Sequence, residues 1–222
     1  MDASVLAGIV DRRLEYILRL KAGQGRPFVF HLLGPPSVGK TFLQEALFSR
    51  WNVITPCFLH VTSFVLPRSV RLDRALGECS VDAYDIEGIR STVSSLLTGR
   101  SVRVPQYDHQ HGRFHSDLLL LTPADFYYIE GPAWLRIKDL CFLGAPSFQV
   151  FMRPRSSLAW KAAYIFRNTR FRNYSAHDAR RAFDLAEASW LKALEESEIR
   201  ADLEVVVDFS GASHYPIFEV TK

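Results

Sequence analysis

The chain has 222 residues, of which 48% are hydrophobic, and its 27 Lys and Arg against 24 Asp and Glu give a formal net charge of +3. This apolar fraction excludes a disordered chain, and the length favours a single domain over residues 1–222. The small positive charge suits a protein that handles phosphates, but it falls short of a dedicated nucleic-acid binder.

The three cysteines, Cys57, Cys79 and Cys141, are widely spaced and include no CxxC pair. This spacing argues against a disulfide framework and against a structural zinc site, so we expect reduced, mostly buried thiols. In the first 21 residues, Asp11 and Arg12 interrupt the apolar positions. We therefore expect neither a signal peptide nor a membrane span, and we expect a cytoplasmic protein with no membrane partner.

Short apolar runs alternate with segments of helical periodicity along the chain. Residues 4–21 and 41–51 have the spacing of amphipathic helices. Strands are predicted at residues 28–33, 57–61, 126–129, 148–152 and 203–207. This alternation predicts a three-layer α/β/α fold with a mostly parallel sheet that is covered on both faces.

Two further segments have clear local patterns. Residues 102–107 and 114–120 flank the polar turn 108–113, which predicts a β-hairpin over 102–120 inserted beside the site. In residues 176–196, apolar side chains recur at helical spacing, which predicts an amphipathic helix with Trp190 in the core. No element is predicted after residue 211.

A glycine-bounded turn, residues 34–41, joins the first predicted strand to a predicted helix. Its sequence, Gly-Pro-Pro-Ser-Val-Gly-Lys-Thr, satisfies the pattern G-x-x-x-x-G-K-[ST] of a P-loop in the context that the pattern requires. In such a loop Lys40 reaches the β- and γ-phosphates and the Thr41 hydroxyl ligates Mg²⁺. The residues expected to contact the nucleotide are Gly34, Pro35, Ser37, Val38, Gly39, Lys40, Thr41 and Phe42. The alternative is a chance glycine-rich turn.

The P-loop leaves the reaction open between a kinase, a GTPase and a mechanical ATPase. An N-K-x-D guanine signature and a transporter ATPase signature are absent from the sequence, and the chain is short for a hexameric motor. A small-molecule kinase fits best, with ATP and Mg²⁺ as cofactors.

Three further segments, in the same order along the chain, resemble the uridine kinase and phosphoribulokinase-like family of P-loop kinases. Residues 61–68 resemble the family's Asp-x-Phe-(Tyr/His)-x-Pro-Arg segment. The second segment begins at residues 81–85, continues through a leucine-rich helix and ends at residues 102–109, and it resembles the family's Phe-Asp, leucine-rich helix and Pro-x-Tyr-Asp acceptor-site stretch. Residues 128–132 resemble the family's strand-end Glu-Gly. With the P-loop, the resemblance covers about residues 28–175. It implies transfer of the ATP γ-phosphoryl group to a hydroxyl of a nucleoside, a sugar or a related metabolite.

The largest departure from the family is Thr62, which occupies the place of the aspartate that serves the family as base. A threonine hydroxyl cannot accept a proton near neutral pH as a carboxylate does, so another group must act. Asp85 and Glu130 are the leading substitutes, with Asp82 and Asp108 behind them. The resemblance also implies that Glu130 lies near the metal and the substrate.

The resemblance and a cluster of polar residues in the predicted turn indicate an acceptor site. The residues expected there are Thr62, Phe64, Arg68, Tyr84, Tyr107, Asp108, His109, His111 and Arg113. The alternatives are a polar hairpin tip and, for Phe64, a core aromatic. His109 and His111 lack a third metal ligand, so a metal site is weakly indicated.

Residues 167–176 occupy the place of the family's arginine-rich lid, with Arg167, Arg170 and Arg172 over the phosphates of ATP. The family's Arg-Asp pair is here Arg167-Asn168, and the alternative is a solvated helix face.

Two other functions compete with the kinase. Thr62 favours a nucleotide-binding regulatory protein descended from such kinases. A nucleic-acid kinase or RNA-binding protein is weakened by the modest charge. The sequence leaves the acceptor, the choice between ATP and GTP, and a homo-oligomeric state open.

Overall fold

A computed structural model describes residues 1–21, 27–51, 56–132, 145–196, 201–209 and 216–221. Cys141 lies outside the described residues, whereas Cys57 and Cys79 are free and buried. The helices are α1 (Ala3–Lys21), α2 (Lys40–Phe48), α3 (Arg68–Asp73), α4 (Ile86–Leu97), α5 (Ser157–Phe171) and α6 (Ala176–Glu196). The strands are β1 (Phe28–Leu33), β2 (Cys57–His60), β3 (Val102–Asp108), β4 (Arg113–Leu121), β5 (Phe126–Gly131), β6 (Ser147–Pro154), β7 (Leu203–Asp208) and β8 (Ile217–Val220).

The main sheet has six strands in the order β2-β5-β1-β6-β7-β8. The first five are parallel, and β8 pairs antiparallel with β7. Every residue of β1 is buried, because the strand lies at the centre of a sheet that is covered on both faces. The predicted α/β fold with a mostly parallel sheet is confirmed.

Two apolar clusters fill the two sides of the sheet. One contains Leu6 of α1 and Leu43 of α2. The other contains Ile89 of α4, Trp160 of α5 and Trp190 of α6. The amphipathic helix expected over 176–196 is α6, and Trp190 is a core residue with 4% of its surface exposed.

The hairpin and the C-terminal segment lie at the periphery of the main sheet. Strands β3 and β4 form a separate antiparallel pair, which confirms the hairpin. Sequence patterns indicate no element after residue 211, yet β8 extends the main sheet there. Phe218 buries its ring in the core, and its backbone exchanges two hydrogen bonds with Met1. A four-residue strand with one buried large side chain is too short for periodicity to reveal.

No helix in the described ranges combines the length and the apolar character that crossing a membrane requires.

The segment between α3 and α4 packs tightly on α6. A Cβ atom added at Gly77 would lie 2.6 Å from the carbonyl carbon of Leu185 and would overlap the Ser189 hydroxyl. The obstacle at Leu185 is helix backbone, which cannot rotate away. Glycine at position 77 therefore allows this segment to pack against α6. This contact fixes the position of the next residue, Glu78.

We predict that Gly77→Ala lowers the free energy of unfolding by about 3 kcal/mol or more, because the new methyl group overlaps backbone atoms. Urea denaturation followed by circular dichroism measures this change. Gly8→Ala in α1 is the control: its Cβ would meet only arginine side-chain atoms, the nearest at 3.7 Å. It should raise stability by roughly 0.5–1 kcal/mol. A Gly77→Ala variant as stable as the wild type would contradict the packing described.

Candidate active site

A cavity of about 190 Å³ lies at the carboxyl ends of β1, β2 and β5. Ligands of open parallel α/β sheets bind at this edge. The lining residues are Gly34, Pro36, Ser37, Lys40, Thr41, His60, Val61, Thr62, Glu78, Tyr84, His109, Glu130, Gly131, Pro132, Arg167 and Arg172. The P-loop and parts of all three resembling segments thus meet in one place.

The P-loop is held in a tight turn by left-handed backbone. Ser37 has φ 60° and Gly39 has φ 103°. A Cβ atom at Gly34 would lie 2.7 Å from the carbonyl oxygen of Met152 in β6, so the loop can pack here only with glycine. Gly39 is the N-cap of α2, and no side chain caps this helix. The N-terminal N–H groups of α2 are therefore left for an anion, as phosphate binding requires.

Lys40 folds back over the loop. Its Nζ atom donates hydrogen bonds to the carbonyl oxygens of Gly34 at 2.9 Å and Pro35 at 2.8 Å, and it lies 3.8 Å from Oε1 of Glu130. Burial lowers the pKa of Lys40, while the charge of Glu130 acts in the opposite direction. A phosphate would supply the anionic partner that this buried ammonium group has only in part.

Glu130 and Thr41 offer oxygen atoms beside the P-loop. Glu130 is the second-last residue of β5, with 16% of its side chain exposed, and its Oε2 lies 3.9 Å from Nδ1 of His60. Mg²⁺ takes oxygen ligands and usually combines one or two carboxylates with phosphates and water. The Thr41 hydroxyl and Glu130 fit that donor set. Within the described part of the chain, no group of three or more His, Cys, Asp or Glu could hold a metal ion by itself.

Part of the cavity wall is formed by residues outside the P-loop, among them the expected Thr62, Tyr84 and His109. Thr62 lies in a 3-10 turn, Val61–Phe64, directly after β2. Burial lowers the pKa of His109 to about 3, and the nearby charge of Arg172 adds to this effect. His109 is therefore neutral near pH 7.

Glu78 lines the same wall, although no sequence pattern pointed to it. Arg71 Nη1 lies 3.3 Å from Glu78 Oε1. Arg71 is itself buried and donates hydrogen bonds to the Leu66 carbonyl at 3.0 Å and the Tyr107 hydroxyl at 3.2 Å. Burial by itself would raise the pKa of Glu78, but Arg71 and Arg172 outweigh it, so the pKa is lowered. Glu78 is therefore an ionised carboxylate in the cavity.

Two aspartates that were considered as bases have local structural partners instead. Asp85 is exposed and caps α4, where its Oδ1 accepts a hydrogen bond from the Gly88 N–H at 2.9 Å. In the hairpin turn, Oδ1 of Asp108 accepts from the backbone N–H of Gln110 at 2.8 Å, and its Oδ2 lies 2.5 Å from Nδ1 of His111. The bond with His111 lowers the pKa of Asp108 to about 2. Neither aspartate is among the described residues that line the cavity.

Other residues expected at the acceptor site shape its surroundings. Phe64 is part of the core, as the alternative interpretation held. Arg68 stacks over the Tyr174 ring at 3.9 Å and donates to the His109 carbonyl at 2.6 Å, so it ties the hairpin turn to α3. Several other residues that the sequence placed at the site do not line the cavity. Those expected at the nucleotide are Pro35, Val38, Gly39 and Phe42, those expected at the acceptor are Tyr107, His111 and Arg113, and Asp82 was considered as a base.

The three arginines of the expected lid do not lie together. Arg167, in the last turns of α5, and Arg172, directly after α5, line the cavity, whereas Arg170 is exposed outside it. Burial lowers the pKa of Arg167 to about 10, and the charge of Arg172 contributes. Arg167 therefore remains charged near neutral pH. The basic side chains Lys40, Arg167 and Arg172 outnumber the lining carboxylates Glu78 and Glu130, so the cavity favours an anionic ligand.

Comparisons with known proteins agree with this geometry at the level of fold. No family model matches the sequence, and no curated protein sequence does. Among solved structures, a proposed fructose transport system kinase from Silicibacter is 20% identical with a TM-score of 0.67, covering 92% of this chain and 98% of its own. D-glycerate 3-kinase from Cryptococcus neoformans is 10% identical with a TM-score of 0.66, covering 99% of each chain.

A possible uridine kinase from Bacillus stearothermophilus is also similar, with 19% identity and a TM-score of 0.53 over 88% of this chain and all of its own. At these identities the likeness concerns the fold. The chain has the fold of the P-loop kinases, among them proteins of the uridine kinase type, as its sequence motifs predicted.

Proposed function

We propose that the protein is an ATP-dependent kinase that transfers the γ-phosphoryl group to a hydroxyl of a small metabolite, such as a nucleoside, a sugar or a hydroxy acid. The observation that carries the proposal is the meeting of three groups in one cavity. These groups are a P-loop with its lysine, the two arginines Arg167 and Arg172, and polar residues that include Thr62 and Tyr84. Phosphoryl transfer needs this combination, because its catalysis depends mostly on positioning and on neutralising charge.

Each group has a separate task in the proposed reaction. The P-loop and the N-terminus of α2 bind the phosphates, and Lys40 moves from the loop carbonyls to the β- and γ-phosphates. Thr41 and Glu130 would hold Mg²⁺, which would supply positive charge to neutralise the phosphates. Arg167 and Arg172 would stabilise charge on the transferring group.

The similar solved structures support a small hydroxylated acceptor, since their descriptions include a glycerate kinase and a possible uridine kinase. The proposal includes a cytoplasmic setting, which agrees with the free thiols of Cys57 and Cys79.

A second candidate is a regulatory protein that binds the nucleotide without transferring phosphate. The observation that favours it is Thr62, which lines the cavity where the family places its aspartate. Mg·ATP binding without turnover on any acceptor would favour this candidate over the kinase.

We predict acceptor-dependent ADP release from Mg·ATP on at least one member of a panel of nucleosides, sugars and hydroxy acids. Lys40→Ala should lower that rate by on the order of 100-fold or more, because it removes a positive charge that the developing transition state needs. Lys192→Ala is the control: Lys192 is 72% exposed and pairs with Glu196 four residues on. Turnover that survives in Lys40→Ala would place the reaction outside this cavity.

We also predict that the two helix arginines differ. Arg167→Ala should lower kcat by on the order of 10²-fold or more, since an arginine at the transferring phosphate contributes at least that much in related reactions. The loss at the exposed Arg170→Ala should be at least about ten times smaller, because exposed charges far from a ligand contribute little. Steady-state kinetics at saturating ATP measures both values, and equal losses would contradict the placement of Arg167 at the phosphates.

A further inference from the structure

The proposed reaction needs a group that takes the proton of the acceptor hydroxyl, and Thr62 cannot do so. Among the described residues that line the cavity, the carboxylates are Glu78 and Glu130. Asp85 and Asp108 are engaged in capping α4 and in the hairpin turn. A carboxylate base would therefore be one of the two glutamates, and their surroundings differ.

Glu130 is committed to the phosphate side. It is the second-last residue of β5, the strand beside β1, it lies 3.8 Å from the ammonium group of Lys40, and with Thr41 it offers oxygen atoms that suit Mg²⁺. A carboxylate that ligates a divalent metal ion is a poor proton acceptor, because protonation would displace the metal. This leaves Glu78 for the acceptor side.

The surroundings of Glu78 hold it rigidly. On one side Gly77 packs on the backbone of α6, and the Tyr84 hydroxyl donates to the Glu78 carbonyl at 2.8 Å. The Glu78 side chain is fixed by Arg71, which is fixed in turn by Leu66 and Tyr107. Arg71 Nη1 lies 3.3 Å from Oε1, and no hydrogen bond to Oε2 is found within the described residues. A carboxylate held by a second set of bonded groups, with one oxygen to spare, is preorganised for an incoming hydroxyl.

We propose that Glu78 is the general base for the acceptor and takes over the role that Thr62 cannot fill. This inference rests on the proposed kinase function. The acceptor O–H bond breaks as its oxygen bonds to the γ-phosphorus, the bond from that phosphorus to the β,γ-bridging oxygen breaks, and ADP leaves. The proton passes to Glu78 Oε2 and then to solvent. Arg71 keeps Glu78 ionised before the reaction, and Tyr84 and His109 line the same cavity.

The test compares full-length Glu78→Gln with the wild type, using the acceptor that gives the highest turnover in the panel. Glutamine keeps the shape and can still accept a hydrogen bond from Arg71, but it cannot take a proton. We expect kcat to fall at least about 100-fold, which is the lower range for loss of a general base. The affinity for a non-hydrolysable ATP analogue with Mg²⁺, measured by titration calorimetry, should stay within roughly threefold.

Glu87→Gln is the matched control, since Glu87 is 82% exposed on α4 and pairs with Arg90. Its kcat should match the wild type. If Glu78→Gln does not fold, Glu78→Asp replaces it: the charge beside Arg71 remains, but the shorter side chain withdraws from the acceptor, and kcat should fall at least about tenfold.

A folded Glu78→Gln variant with wild-type kcat would overturn the inference while leaving the kinase intact. The same conclusion follows if its loss of turnover is matched by an equal loss of ATP affinity, since Glu78 would then shape the nucleotide site. Absence of acceptor-dependent turnover in the wild type would instead reject the kinase proposal, and the role of Glu78 would fall with it.

Discussion

The close approach of the P-loop to the centre of the sheet is the constraint on which the rest of the site depends. Gly34 follows β1 directly, packs against the Met152 carbonyl of β6, and donates its N–H to Gly131 at the end of β5. The indole N–H of Trp160 in α5 donates to the Pro36 carbonyl at 2.8 Å. The loop is therefore tied to the strand that carries Glu130 and to the helix that carries Arg167. A ligand on the loop is thereby in reach of both.

Several charged side chains of the site are largely removed from water, which costs free energy. Lys40, Arg167 and Glu78 are all substantially buried, and in each case burial opposes the charged form. The Arg71–Glu78 pair offsets part of this cost through hydrogen bonds that satisfy Arg71 on several sides. Buried ion pairs of this kind add little to stability, but they fix geometry. Their presence in a cavity, rather than in a closed core, fits a role in binding and catalysis.

The parts of the account that the sequence could predict are those with a local signature. The P-loop and the buried strand before it can be recognised from consecutive residues, and they located the P-loop side of the cavity. Asp85 and Asp108 also stand in recognisable segments, yet local hydrogen bonds to the backbone engage them. Glu78 has no signature of its own. It reaches the cavity because Gly77 packs on α6, more than a hundred residues away in sequence, and such a contact leaves no periodic pattern.

The central claim is that this cavity binds a nucleoside triphosphate on the P-loop. Titration calorimetry of the wild-type chain with a non-hydrolysable ATP analogue, with and without Mg²⁺, tests it most directly. The account predicts one site per chain whose affinity falls sharply when Mg²⁺ is removed, because the metal neutralises phosphate charge beside Glu130. No binding, or binding that is indifferent to Mg²⁺, would contradict it.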